Sequence, residues 1–180
     1  FKQKTAYEIG VRLVGSEMCI RDRADLVRAS VAGVVDAATA AGEPAPVTVH
    51  TADGRHLDEA GLPRHDGFDR VLLDAPCTGL GALRRRPEAR WRRSPSDLAT
   101  LGPLQRDLLR AALDAVRPGG VVGYVTCSPH PAETTMVVQD VLRGRTDVER
   151  AGPDRQLWPH RDGCDAMYLA LLRRVPSSRP

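Results

Sequence analysis

The chain predicts an α/β fold, and three observations carry that reading. Short, continuously apolar runs, Arg70-Val71-Leu72-Leu73 and Val121-Val122-Gly123-Tyr124-Val125, are partly β-branched and too short for helices, as buried strands of a parallel sheet are. Between them lie segments whose apolar residues recur at helical spacing and which end in Gly and Pro clusters. Both strand runs break into a loop that carries a cysteine, Cys77 after the first and Cys127 after the second.

Residues 24–41 open the regular structure as a helix with apolar Leu26, Val27, Val31, Val34 and Val35, stopped by Gly42 and the Pro44/Pro46 pair. Residues 47–52 alternate as a strand and lead into Asp53-Gly54-Arg55. A loop to Asp69 precedes the Val71 strand. Ser94-Pro95-Ser96-Asp97 resembles a helix start, and Leu104, Leu108, Ala111, Ala112 and Ala115 continue an apolar face to Val116. Arg117-Pro118-Gly119-Gly120 ends that helix before the Val121 strand. Residues 132–142 form a further helix, and 166–172 a last apolar strand. There is no internal repeat.

Composition bounds the class. The chain has 180 residues, 42% of them apolar and 27% charged, which is ordinary for one globular domain with a sizeable core. No apolar stretch approaches the ~20 residues that span a bilayer, and no signal-peptide pattern opens the chain. These features predict a cytoplasmic protein without a membrane partner. Four cysteines with neither a Cys-x-x-Cys pair nor a His/Cys cluster argue against a metal site and a disulfide scaffold.

Residues 1–23 differ from the rest. Both lysines, Lys2 and Lys4, and both isoleucines, Ile9 and Ile20, lie there, whereas the following 157 residues contain neither type. The segment resembles a translated sequencing adapter, so the expected organisation is a non-native leader over 1–23, a domain over 24–175 and a tail over 176–180. The competing reading is a genuine amphipathic N-terminal helix. Without the leader, 21 Arg face 20 acidic residues, and the net charge is near zero.

A lone cysteine is usually a small apolar filler. Here both stand at strand ends, and Cys77 sits in turn chemistry, between Pro76 and Thr78 and ahead of Gly79 and Gly81. Ligands of open α/β sheets bind beyond the carboxyl ends of the strands, so both thiols and Asp74 are expected to converge on one crevice.

The motifs are more specific together than singly. Asp74-Ala75-Pro76-Cys77-Thr78-Gly79, Arg84-Arg85-Arg86-Pro87, Arg90-Trp91, Leu104-Gln105, Pro118-Gly119-Gly120, Thr126-Cys127-Ser128 with Glu133, and Gly163-Cys164-Asp165-Ala166-Met167-Tyr168 resemble the NOL/NOP/Sun RNA cytosine-5 methyltransferases, and within them the bacterial branch acting on small-subunit ribosomal RNA. The resemblance covers residues 24–174. It implies a Rossmann-like class I methyltransferase domain, S-adenosyl-L-methionine as cofactor, ribosomal RNA as partner, no metal, and a monomeric parent.

By that resemblance Cys127 is the nucleophile that adds to cytosine C6, Cys77 assists product release, and Asp74 contacts the flipped base. Asp53, after the third strand of the family fold, and Asp74 border the cofactor. The bland reading of Asp53 is a turn-forming aspartate before Gly54. Arg84, Arg85, Arg86 and Arg90, with Arg92, Arg93 and Trp91, form a basic segment opposed only by Glu88, suited to RNA phosphates. Its bland alternative is a solvated face. The family's glycine-rich loop and ribose-binding acid belong ahead of Ala24, where Val14-Gly15-Ser16-Glu17 is no substitute, and the motif lysine is absent too. The expectation is therefore a domain truncated by its first two strands and inactive alone.

Rivals fit less well. A cysteine phosphatase needs an arginine six positions after its nucleophile, where Cys77 has Leu83. A DNA enzyme needs a Glu-Asn-Val motif that is not found. A noncatalytic RNA-binding module has no use for two thiols at strand ends, and a related tRNA methyltransferase remains open. His130, near Cys127, reads as local structure rather than half of a Cys-His pair.

Overall fold

The computed structural model describes residues 20–57 and 67–176. The expectations for a leader over 1–23 and a tail over 176–180 fall almost wholly outside them. Helix α1, Ile20–Ala40, starts ahead of residue 24 and ends as Gly42 predicts. Gly42 takes φ 69°, and Glu43 N donates to Ala38 O at 2.9 Å while Gly42 N donates to Thr39 O at 3.1 Å. That is a Schellman end, which only glycine enters without strain. Of its apolar residues Leu26 and Val34 are each 58% exposed, while Val27, Val31 and Val35 are half-buried.

The strand expected over 47–52 is not formed; the segment is unpaired and takes no regular secondary structure. Alternation makes a segment capable of pairing, but a strand exists only where a neighbour completes its ladder, and among the described residues none does.

A five-stranded mixed sheet supports the remaining structure: β1 (Phe68–Asp74), β2 (Val116–Thr126), β3 (Val148–Arg150), β4 (Arg155–Gln156) and β5 (Tyr168–Arg174). Its order is β1-β2-β5-β3, with β4 also on β5. β1 and β2 are parallel, in the register Val71↔Val122 and Asp74↔Val125. β5 runs antiparallel to β2, Tyr124 facing Ala170, and both short strands pair antiparallel with β5. The segment Arg117-Pro118-Gly119-Gly120 bulges out of the β1 ladder, which skips from Phe68↔Val116 to Arg70↔Val121. Gly119 there takes φ 82°.

Helices cover one sheet face. α3 (Ser96–Ala115) presents Leu101, Gln105, Leu109, Ala112 and Leu113, spaced for one buried stripe, and α4 (Thr135–Arg143) presents Val137, Val138 and Val141. They close over Val122, Tyr124, Tyr168, Ala170 and Leu172, and Val71 and Leu73 pack at the margin. The other face of β1 carries Arg70, Leu72 and Asp74, and Leu72 is 63% exposed. The expectation of a strand buried on both faces is corrected there: among the described residues no helix covers that side. The helix expected over 132–142 is also interrupted. Pro131–Glu133 form a 3-10 turn, Thr134 breaks the spiral at φ −127°, ψ −104°, and α4 starts beyond it.

Candidate active site

Parallel pairing brings two loops to the same sheet edge. Beyond β1 the ladder runs one residue further, Ala75 N donating to Val125 O at 2.9 Å, and residues Ala75, Pro76, Cys77 and Thr78 are buried. Beyond β2, Cys127 is half-buried and Ser128 buried. The sulfurs of Cys77 and Cys127 come within 3.3 Å, hydrogen-bond distance for two thiols. A reachable sulfur backed by a fully buried one suits nucleophilic addition, with a second group close enough to exchange a proton.

Backbone contacts fix this edge. Gly79 turns at φ 75° into a 3-10 turn over Leu80–Ala82. Gly81 N donates to Cys127 O at 2.9 Å, and Gly81 O accepts from Ala166 N at 3.1 Å. A Cβ on Gly81 would lie 1.9 Å from Ala166 O and 2.9 Å from Cys127 O, so only glycine fits between these strands of chain. The Cys127 loop is shaped by His130, whose backbone N donates to Ser128 Oγ at 3.1 Å and whose Nδ1 accepts from Ala132 N at 3.2 Å. The imidazole is thus engaged locally, as its reading as loop structure holds.

Under the loops lies a buried polar network to which the sequence alone assigns no role. The carboxyl of Glu133, fully buried, accepts from Thr78 N at 2.7 Å and Thr78 Oγ1 at 2.5 Å. Gln105 Nε2 donates to Pro76 O at 2.7 Å and to Glu133 Oε1 at 3.3 Å. Tyr124 Oη donates to the Glu133 carbonyl at 2.9 Å. Burial, and then the neighbouring Cys77 and Glu133, push the Tyr124 phenol up, so it stays a donor. A signal for Gln105 existed: a polar residue midway between Leu101 and Leu109 on an apolar helix stripe needs a buried partner.

Asp74 is exposed as the last residue of β1, level with Val125 and so beside both loops. Asp53 directly follows the unpaired segment, at the turn of Gly54 and Arg55. Arg55 holds its carboxyl at about 2 through side-chain bonds of 3.0, 3.1 and 2.6 Å, and its backbone N adds a bond of 3.0 Å. That is the turn geometry of the bland reading, with the acceptor oxygens engaged by Arg55. The basic segment divides. Arg85 pairs with buried Asp165 at 2.5 Å and Arg84 approaches the same carboxyl at 3.8 Å, which Arg85 holds below the usual range. Arg93 pairs with Asp97 at 3.6 Å. Arg86, Arg90 and Arg92 are exposed and have no carboxylate partner among the described residues, and Trp91 between them is 85% exposed on the short helix α2, Ala89–Arg92.

Comparison with known proteins bears on this arrangement. A family model described as 16S rRNA methyltransferase RsmB/F matches residues 34–173. A Mycobacterium tuberculosis protein named as the methyltransferase Rv1407 is 52% identical over 168 residues, 85% of this chain and 33% of that protein. Ribosomal RNA small subunit methyltransferase B of Vibrio cholerae is 39% identical over 112 residues, 59% of this chain and 26% of that enzyme. The chain thus spans about a third or less of these curated relatives. Among solved structures, a methyltransferase homolog from Pyrococcus horikoshii superposes with a TM-score of 0.66 at 25% identity, over 86% of this chain and 51% of that one. NSun6 from the same organism, solved with SFG, gives 0.61 at 27% identity, over 73% and 35%. The family-model match, residues 34–173, spans β1 to β4, most of β5 and both cysteine loops.

Proposed function

The chain belongs to the RsmB/F family of 16S rRNA methyltransferases, with the Rossmann-like fold of class I methyltransferases, and from that premise we propose that it carries the centre for methylation of cytosine C5 in ribosomal RNA through a covalent Cys127 adduct. The observation that carries the reading is the 3.3 Å approach of two thiols at the carboxyl ends of parallel strands. Cytosine C5 is a weak nucleophile. Addition of the Cys127 thiolate to C6 raises electron density at C5, which then takes the methyl group. S-adenosyl-L-methionine supplies an electrophilic methyl on a sulfonium. Asp74 fits one border of that cofactor and an acceptor for the exocyclic amine of a flipped base; Asp53, engaged by Arg55, must exchange that partner to take part. After transfer the C5 proton leaves and the C6–S bond breaks, returning the thiolate to Cys127, with Cys77 the sulfur in reach of that step. No helix among the described residues is long and apolar enough to cross a membrane; we assign the reaction to the cytoplasm.

Incubation of the full-length protein and S-adenosylmethionine with RNA containing 5-fluorocytosine should leave a covalent product at Cys127, because fluorine at C5 cannot leave as a proton does. Mass spectrometry of the digest reads it. Methylation with no adduct at either cysteine rejects the mechanism.

RNA binding should follow the divided basic segment. Neutralising Arg86, Arg90 and Arg92 together is expected to lower the log-log salt slope of RNA binding by about 0.7 for each single-strand phosphate that these arginines no longer neutralise. Replacing Arg84 and Arg85, already paired with Asp165, should change the slope less. An unchanged slope in the triple variant returns the segment to a solvated face.

A further inference from the structure

We infer that Glu133 and Gln105 are positioning residues for the release half of the reaction, a clamp that holds the Cys77 sulfur against Cys127. The inference rests on the proposed mechanism but concerns residues outside it. Cys77 itself is followed and preceded by held atoms: Glu133 accepts from the Thr78 N–H and hydroxyl, and Gln105 donates to the Pro76 carbonyl. Glu133 and Gln105 are in turn joined at 3.3 Å, and both are fully buried. The peptide groups on both sides of Cys77 are therefore tied to one rigid pair.

The two cysteines depend on that pair unequally. Cys127 directly follows β2, whose ladders to β1 and β5 persist to its last residues, and Gly81 N adds a bond to its carbonyl. Cys77 lies three residues beyond β1, in a loop with a single ladder-like bond at Ala75. Removal of the clamp loosens Cys77 while Cys127 stays on its strand. Neither clamp residue needs to touch substrate. Their effect passes through the distance between two sulfurs, and a displacement of about 1 Å can cost about 100-fold in a step that needs alignment.

The experiment uses the full-length protein and ordinary cytosine RNA, with adduct formation and release followed separately in single turnover on denaturing gels. Glu133→Ala should slow release by about 10- to 100-fold and adduct formation by less than about threefold, so that RNA-linked protein accumulates. Glu133→Gln should restore release, since its amide oxygen still accepts from Thr78 N and its amide nitrogen can donate to the Thr78 hydroxyl. Gln105→Met, which removes the Pro76 contact in similar volume, provides a second variant if Glu133→Ala does not fold. A readout independent of catalysis is disulfide formation between Cys77 and Cys127 under diamide, which takes up both thiol hydrogens as it is reduced to the hydrazine; it should be slower in Glu133→Ala than in the parent protein. Equal slowing of formation and release, failure of Gln to rescue, or unchanged diamide coupling overturns the inference. Absence of any adduct between the unsubstituted protein and 5-fluorocytosine RNA rejects the mechanism instead.

Discussion

Cys127→Ala is expected to abolish methylation, by at least about 10⁴-fold, and to leave no covalent link to RNA. The alanine keeps the loop, whose shape depends on the Gly81 N–H, the Ser128 hydroxyl and His130 rather than on the sulfur. Cys77→Ala should behave in the opposite way. The RNA adduct forms, is methylated, and persists, because the sulfur in reach of the release step is gone while the attacking one remains. A denaturing gel separates the two variants in one lane each. An adduct in Cys127→Ala together with none in Cys77→Ala would reverse the two roles, and the burial of each sulfur would need another account: Cys77 is wholly inaccessible and Cys127 is not.

The second large effect is on stability. Gly81→Ala sets a methyl group 1.9 Å from Ala166 O, with Cys127 O and the Ala166 carbonyl carbon each at 2.9 Å. All three obstacles are backbone, so no rotamer change relieves them. Separation of the chain segments would break the bonds Gly81 N to Cys127 O and Ala166 N to Gly81 O. We expect a destabilisation of about 3 kcal/mol or more, the upper part of what overpacking costs. For a domain of this size that is a fall in Tm of roughly 6 to 12 °C. Calorimetry of the purified variant measures it; a Tm within about 1 °C of the parent's would mean that the Leu80–Ala82 turn shifts freely and that this edge is not fixed by close approach. By contrast Gly79→Ala, whose Cβ meets nothing within 4 Å, gives up only the ease of a positive φ, and the difference between the two variants isolates the steric clash.

The meeting of the two thiols was legible because it depends on local facts: two apolar runs, each followed within a few residues by cysteine, with parallel pairing to align their ends. The strand direction at the other side of the sheet was not legible, since residues 168–174 carry the same apolar pattern whichever way they run. The strand expected over 47–52 failed for a related reason: periodicity belongs to the segment, pairing to its neighbour. Arg84 and Arg85 read as part of a basic run opposed only by Glu88 because their counter-charge, Asp165, is 80 residues from Arg85 along the chain. Thr134 broke the predicted helix because the 3-10 turn must return the Glu133 carboxyl to Thr78, 55 residues earlier. Where the outcome rests on which distant polar groups find each other in the interior, one sequence names the candidates and not the pairs.

The central position of β5 bears on how the site comes into being during synthesis. Among the described residues β5 is the strand made last, yet it lies between β2 and the pair of short strands that precede it. While the ribosome is still adding these residues, β2 has β1 on one side and an open ladder on the other, and Ala166 N has not reached Gly81 O. At about 5–20 residues per second the forty-odd residues after Cys127 take several seconds to appear. Until β5 pairs, the Cys127 loop lacks the wall that the Ala166–Gly81 bond and the β2–β5 ladder supply.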